Sequence, residues 1–275
     1  MRNITYIFVF DSESLLTKFQ NAGKINPVNI SSAMKYKEYS MSVKTVLFDL
    51  DGTLLPMDQE LFVKTYFKLL AVKLVPYGYE PKQLIDAIWA GTAAMVRNDG
   101  SCHNEDAFWA KFTSIYGQQA LEHLPVFADF YANEFQGAQS VCGHTPQAAE
   151  VLALLKQKGL RVALATNPIF PAIATESRIR WAGLTPEDFE LYTTYENSRY
   201  CKPNPDYYRA IVAQLDVDPT ECLMVGNDVT EDMVARQLGM QVFLLTDCLI
   251  NKNEEDISAY PHGGFPELLD YIHSL

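Results

Sequence analysis

Basic residues are scarce in this chain: 22 Lys and Arg stand against 34 Asp and Glu, a formal charge of −12 over 275 residues. That deficit excludes an extended nucleic-acid or anionic-membrane surface, since both need clustered Lys and Arg. A small anionic substrate remains compatible, provided that it meets a locally positive pocket. Cysteine is sparse too. The five, Cys102, Cys142, Cys201, Cys222 and Cys248, are odd in number and form no Cys-x-x-Cys pair. Such usage argues against a structural zinc site and suits a reducing cytosol. No apolar run approaches the roughly 18 residues of a membrane span, so a soluble, cytoplasmic protein is expected. The short apolar patch within residues 1–10 ends at Asp11 without a small-residue cleavage site and does not read as a signal peptide.

What is present is apolar and ordered in pattern. Hydrophobic residues make up 48% of the chain, enough for a sizeable core in one large domain or two smaller ones. Residues 1–40 differ from the rest, with five Lys and Arg against three Asp and Glu and a concentration of Asn, Ser and Lys. The first convincing strand follows Met41 almost at once. We therefore expect translation to start naturally at Met41, with residues 1–40 a disordered extension or upstream artefact.

From Thr45 onward, short apolar runs alternate with amphipathic segments, the pattern of β/α units around a parallel sheet. Strands are expected near residue 46 and over 160–166, 190–194, 222–226 and 241–245. Helices are expected over 148–158, 205–215 and 231–238, the first and last closed by Gly159 and Gly239. The interval 60–145 has no strand-like run. Apolar spacings of three and four predict helices there over 61–75, 81–96, 105–116 and 124–135. A block of that length is no simple connection, so it reads as a helical lobe inserted into an α/β domain.

The most informative stretch is Val46-Leu47-Phe48-Asp49-Leu50-Asp51-Gly52-Thr53-Leu54. Side chains at i and i+2 of a strand share a face, so Asp49 and Asp51 are expected to project together where the strand ends. Two like charges at that distance are costly unless one is protonated or a cation intervenes. Later strands deliver Thr166 and Asn167, then Lys202, then Asn227, Asp228 and Asp232. Together these supply a nucleophile, a hydroxyl donor, a permanent cation and further carboxylates for a metal, which is what phosphoryl transfer requires.

On these residues the chain resembles the haloacid dehalogenase (HAD) superfamily of phosphohydrolases. Four motifs stand in order: Asp49-Leu50-Asp51-Gly52-Thr53-Leu54, Ala165-Thr166-Asn167, Lys202-Pro203, and Gly226-Asn227-Asp228 followed by Asp232. The resemblance covers Val43 to the C-terminus. It implies an α/β fold, with a Rossmann-like doubly wound parallel core over 41–59 and 144–275 and an inserted helical C1-type cap over 60–143. It further implies Asp49 as nucleophile, Asp51 as general acid and base, and Thr166, Asn167 and Lys202 as phosphate-binding groups. Mg²⁺ is the implied cofactor, held by Asp49, Asp228 and the Asp51 carbonyl, with Asp232 just behind them orienting a metal water or Lys202.

The implied activity is Mg²⁺-dependent hydrolysis of a small phosphorylated metabolite through an aspartyl-phosphate. Aspartate at position 51 favours phosphate-ester chemistry, because the resemblance implies another residue there in dehalogenases and alanine in phosphonatases. A phosphosugar mutase of the β-phosphoglucomutase type is the alternative, and a non-catalytic regulatory protein of the same fold a third reading. The polar loop with Arg97, Asn98, His103 and Asn104 is a candidate substrate contact or a solvated connection. Trp89, Phe108, Trp109 and Phe112 are assigned to the interior of the helical lobe. Cys201, beside Lys202, reads as an inert small hydrophobe.

Overall fold

The computed structural model describes residues 42–275, so the expectation for residues 1–40 lies outside the described residues. The first strand, β1 (Thr45–Phe48), is buried at all four positions, as a strand covered on both sides must be. It is followed by four helices, α1 (Gln59–Leu74), α2 (Pro81–Val96), α3 (Asn104–Tyr116) and α4 (Leu124–Ala132), and a 3₁₀ segment, Glu134–Val141. The chain then alternates through α5 (Gln147–Gln157), β2 (Arg161–Leu164), α6 (Ala172–Trp181), α7 (Pro205–Leu215), β3 (Cys222–Gly226), β4 (Gln241–Leu245), β5 (His262–Gly263) and α8 (Phe265–Ser274).

The five strands run parallel in the order β2-β1-β3-β4-β5. Alternation along each strand feeds two hydrophobic clusters. Val46, Phe48, Val162, Leu164, Leu223, Val225, Phe243 and Leu245 join the cluster that includes α5, α6 and α8. Leu47, Ala163, Met224 and Leu244 join Tyr207, Ile211 and Leu215 of α7 on the other. Helices thus cover both faces, the doubly wound arrangement that the β/α alternation predicts.

Local chemistry explains the helix starts. Asp58 accepts the Leu61 amide at 3.0 Å ahead of α1, and Glu80 accepts those of Lys82 and Gln83 ahead of α2, whose first residue is Pro81. Three expected elements differ. The run 124–135 breaks at Asn133, where φ and ψ of −118° and −82° leave the helical region, and continues as the 3₁₀ segment. Residues 190–194 form no ladder; a single bridge pairs Tyr192 with Leu164. The segment before Gly239 is a 3₁₀ turn, Met233–Leu238, not an α-helix.

Candidate active site

Motif residues gather at the C-terminal ends of β1, β2 and β3, where open parallel sheets bind ligands. β1 stops at Phe48, whose carbonyl accepts the Ala165 amide at 2.6 Å, while the Asp49 amide donates to Val225 at 2.9 Å. Residues 49, 166 and 227 therefore leave the sheet side by side. Lys202, joined to Pro203 by a cis peptide bond, comes in from the segment before α7 and is fully buried. Its Nζ donates to Asp49 Oδ1 at 2.8 Å and to Asp232 Oδ1 at 2.6 Å. Burial alone would discharge this lysine, but Asp232 and Asp49 outweigh it and hold its pKa well above the ordinary value.

The same residues tie the fourth motif to the first. Asp232 Oδ2 accepts the Asp228 amide at 3.0 Å, and a Cβ at Gly226 would run into the Asp232 carboxylate, so glycine is required there. Thr53 Oγ1 lies 3.1 Å from both Asp49 Oδ2 and Asn227 Oδ1. Gly52, at φ +91°, meets the Asn227 side chain where a Cβ would stand. Asp228 uses one carboxylate oxygen locally: its Oδ1 accepts the amides of Thr230 and Glu231 at 2.8 and 2.9 Å.

Asp51 does not share a cation with Asp49. The strand ends before it, and the chain turns so that Leu55 donates to Leu50 and Gly52 to Leu55. Its Oδ2 pairs instead with Nη1 of Arg178, a fully buried residue of α6. Burial pushes the Asp51 pKa up, Arg178 pulls it down, and neighbouring Asp49 adds to the rise; the net direction is upward. The Arg178 guanidinium also lies over the Phe170 ring, 4.5 Å from its centroid.

Thr166 is buried, and its carbonyl accepts from Thr193 Oγ1 at 2.6 Å and from the Tyr207 hydroxyl at 2.8 Å. Asn167 Nδ2 donates to Glu231 Oε2 at 3.0 Å. Burial raises the Glu231 pKa to about 8, with Lys202 opposing. Arg178, Thr193 and Tyr207 reach the centre from outside the four motifs, and Glu231 stands within the fourth without belonging to its signature, so motif spacing reveals none of them. Of the polar loop, Arg97 is exposed and bonds back to Ala93, and His103 is half-buried just ahead of α3. Asn104 is fully buried and faces the core, donating to Pro168 O at 3.2 Å and Cys201 Sγ at 3.3 Å. Cys201 is buried beneath it, in keeping with an inert thiol.

Two buried acceptors, Asp51 Oδ1 and Asn167 Oδ1, have no hydrogen-bond partner. An unpaired buried oxygen is costly, so both fit a site completed by a donor or cation. Among the described residues no group of three or more Asp, Glu, His or Cys side chains is disposed around one point. A hard divalent ion needs fewer: two carboxylates, a main-chain carbonyl and retained waters suffice, and the oxygen-only chemistry here fits that demand.

A sequence profile of haloacid dehalogenase-like hydrolases matches residues 43–239. The chain belongs to that family. Within it, the pyrophosphatase PpaX of Bacillus velezensis is 22% identical over 232 residues, spanning 84% of this chain and 95% of the relative. A HAD phosphatase from Thermococcus onnurineus has a TM-score of 0.53 at 19% identity, covering 84% of this chain and 98% of that one. A CbbY variant from Rhodobacter sphaeroides in complex with xylulose-(1,5)-bisphosphate has a TM-score of 0.52 at 18% identity, covering 82% and 96%. These structural likenesses establish the HAD fold, and HAD phosphatases generally use a divalent metal.

Proposed function

We propose that this HAD hydrolase is a Mg²⁺-dependent phosphatase that cleaves a small phosphorylated metabolite through an aspartyl-phosphate on Asp49. The observation that carries this reading is Lys202 bonded to both Asp49 and Asp232, with Asp51 beside them. Asp49 attacks phosphorus while Lys202 neutralises charge on the carboxylate and the phosphoryl group. Asp51 gives its proton to the leaving oxygen, then takes one from the water that attacks the aspartyl-phosphate. Phosphate departs and Asp49 is regenerated. Burial first, and neighbouring Asp49 after it, shift Asp51 towards holding a proton, the direction a general acid needs.

Asp49, Asp228 and the Asp51 carbonyl would hold Mg²⁺, which supplies charge neutralisation for the phosphoryl oxygens when bound. Thr166 and Asn167 contact the phosphoryl group, and Asp232 fixes Lys202. The helices over 60–143 act as the cap that excludes water, over a core formed by 41–59 and 144–275. The five free cysteines, and the lack among the described residues of any helix long and apolar enough to cross a membrane, support action in the cytoplasm.

Phosphate release tests this reading. With Mg²⁺ the wild type releases phosphate from small monoesters, chelation stops it, and Asp49→Asn lowers it by about 10³ or more. Turnover that survives Asp49→Asn, or that ignores chelation, overturns the mechanism. Isomerisation of a β-sugar phosphate without phosphate release would identify a mutase instead.

A further inference from the structure

Phe108 and Phe112 are buried in the core of the helical lobe and Trp109 packs against it, whereas Trp89 is exposed; yet Trp89, Phe108 and Trp109 also border open space. Together with residues of α1 and α4 they line a cavity of about 420 Å³, within the range of ligand pockets. That is nearly three times the roughly 150 Å³ that holds a benzene molecule. Its far wall is Ile169, Phe170 and Pro171, which directly follow Thr166-Asn167-Pro168, with Tyr195 and Glu196 beside them. Phe170 lines the cavity and carries the guanidinium of Arg178 4.5 Å from its ring centroid, and Arg178 holds Asp51. Phe170 and Arg178 thus connect the cavity lining to the group that protonates the leaving oxygen.

The charge of the lining is one-sided. Glu105 and Glu196 are its ionisable acids, and among the described residues that line it none is Lys, Arg or His. Glu196 is fixed with both oxygens on the Ala172 amide, at 2.9 and 3.1 Å. Arg178, which lies against the Phe170 ring, is engaged by Asp51. A second phosphate or a carboxylate on the substrate would find two carboxylates and no cation here, while an apolar ring would find aromatic edges and faces.

We infer that the substrate is a phosphate monoester whose leaving group is apolar, about the size of an aromatic ring system, and free of a second anionic charge, with that group seated in this cavity. The inference rests on the phosphatase reading. It separates this chain from the pyrophosphatase that PpaX is named for and from the bisphosphate bound by CbbY, both of which carry a second anion.

The test compares 1-naphthyl phosphate, inorganic pyrophosphate and acetyl phosphate on the wild type and on Thr92→Trp. Thr92 lines the cavity and donates only to Ile88 of its own helix, so tryptophan there fills space without breaking a tertiary bond. The wild type is expected to favour 1-naphthyl phosphate over pyrophosphate in kcat/KM. The variant is expected to lose about tenfold or more on 1-naphthyl phosphate, mainly in KM, with acetyl phosphate unchanged within about twofold. In calorimetry, 1-naphthol alone is expected to bind the wild type, a readout that needs neither turnover nor the variant. A preference for pyrophosphate, equal losses on 1-naphthyl phosphate and acetyl phosphate, or no binding of 1-naphthol overturns the inference. Asp49→Asn distinguishes the two levels: if it leaves turnover intact the phosphatase reading fails, whereas 1-naphthol binding still reports on the cavity.

Discussion

Asp51 and Arg178 set the terms at the scale of single residues. An acid that pairs with a buried guanidinium is well oriented but electrostatically discouraged from holding a proton, and its burial, helped by neighbouring Asp49, offsets that. Arg178 therefore acts as a positioning residue: it fixes where Asp51 points. Removing one partner of a buried pair strands the other, typically at roughly 3–5 kcal/mol; Asp51 keeps 22% exposure, so Arg178→Met belongs at the low end of that range. Its catalytic effect is specific in kind. In single-turnover experiments, phosphorylation of Asp49 by alkyl phosphates, whose poor leaving groups need a proton, is expected to fall by about 10² or more, whereas phosphorylation by acetyl phosphate, which does not need one, changes little. Arg178→Lys should recover part of the loss. A uniform fall across both substrates would mean that Arg178 serves only the fold. Nothing in the local sequence announces this pair, because its members lie 127 residues apart and Arg178 sits in a helix that carries no motif. Asp49, Lys202 and Asp228 were legible for the opposite reason: each stands a residue or two beyond an apolar run, or beside a proline, where position in the chain already implies position at the sheet edge.

Elements were legible where their periodicity is self-contained. β1, β3 and β4 are buried on both faces and read as plain apolar runs, and α2 and α7 open on prolines that mark their first turns. Residues 190–194 look like a strand because they alternate, yet they have only the end of β2 to pair with. α8 and β5 escaped the sequence reading, the strand because two residues carry no pattern. The start of α3 shows what tertiary context adds to an element. Glu105 lies in its first turn, where a negative charge suits the helix dipole, but burial first, and then Glu196 and Asp106, raise its pKa above 4.5. Between the unfolded value and the raised one the folded state binds the proton more tightly, so this group's contribution to stability falls as pH rises through that window. Glu105→Gln removes the fall. The urea midpoint of the variant relative to the wild type is expected to be higher at about pH 8 than at about pH 4. An unchanged difference would show that Glu105 titrates as an exposed glutamate.

At the scale of the molecule, the inserted helices and the sheet are not independent bodies. One hydrophobic cluster runs from Val46 and Phe48 of β1 through Phe62, Tyr66 and Phe135 to Phe112 and Phe127. The sequence shows that helices are inserted after β1, but not that their apolar faces merge with the cluster under the sheet, since that depends on how the lobe turns back on itself. Asn104 is the polar counterpart of this shared core. It is fully buried, and from the head of α3 its amide reaches the carbonyls of Pro168 and Tyr200 and the sulfur of Cys201, next to Thr166 and Lys202. Replacing it with leucine leaves those acceptors unpaired in a site closed to water, at a cost of about 1–3 kcal/mol. Because the lobes share their core, the loss is expected to appear as a shift of one cooperative urea transition, followed by circular dichroism and tryptophan fluorescence together. Two separated transitions would mean that the lobe and the sheet unfold independently and that Asn104 only bridges them. The same variant should lose turnover on 1-naphthyl phosphate and acetyl phosphate alike, since the loops it ties down carry Thr166 and Lys202, which in the proposed mechanism serve every substrate. Thr92→Trp, on the far side of the cavity, should discriminate between the two, and that contrast separates a defect in assembling the centre from one in admitting the leaving group.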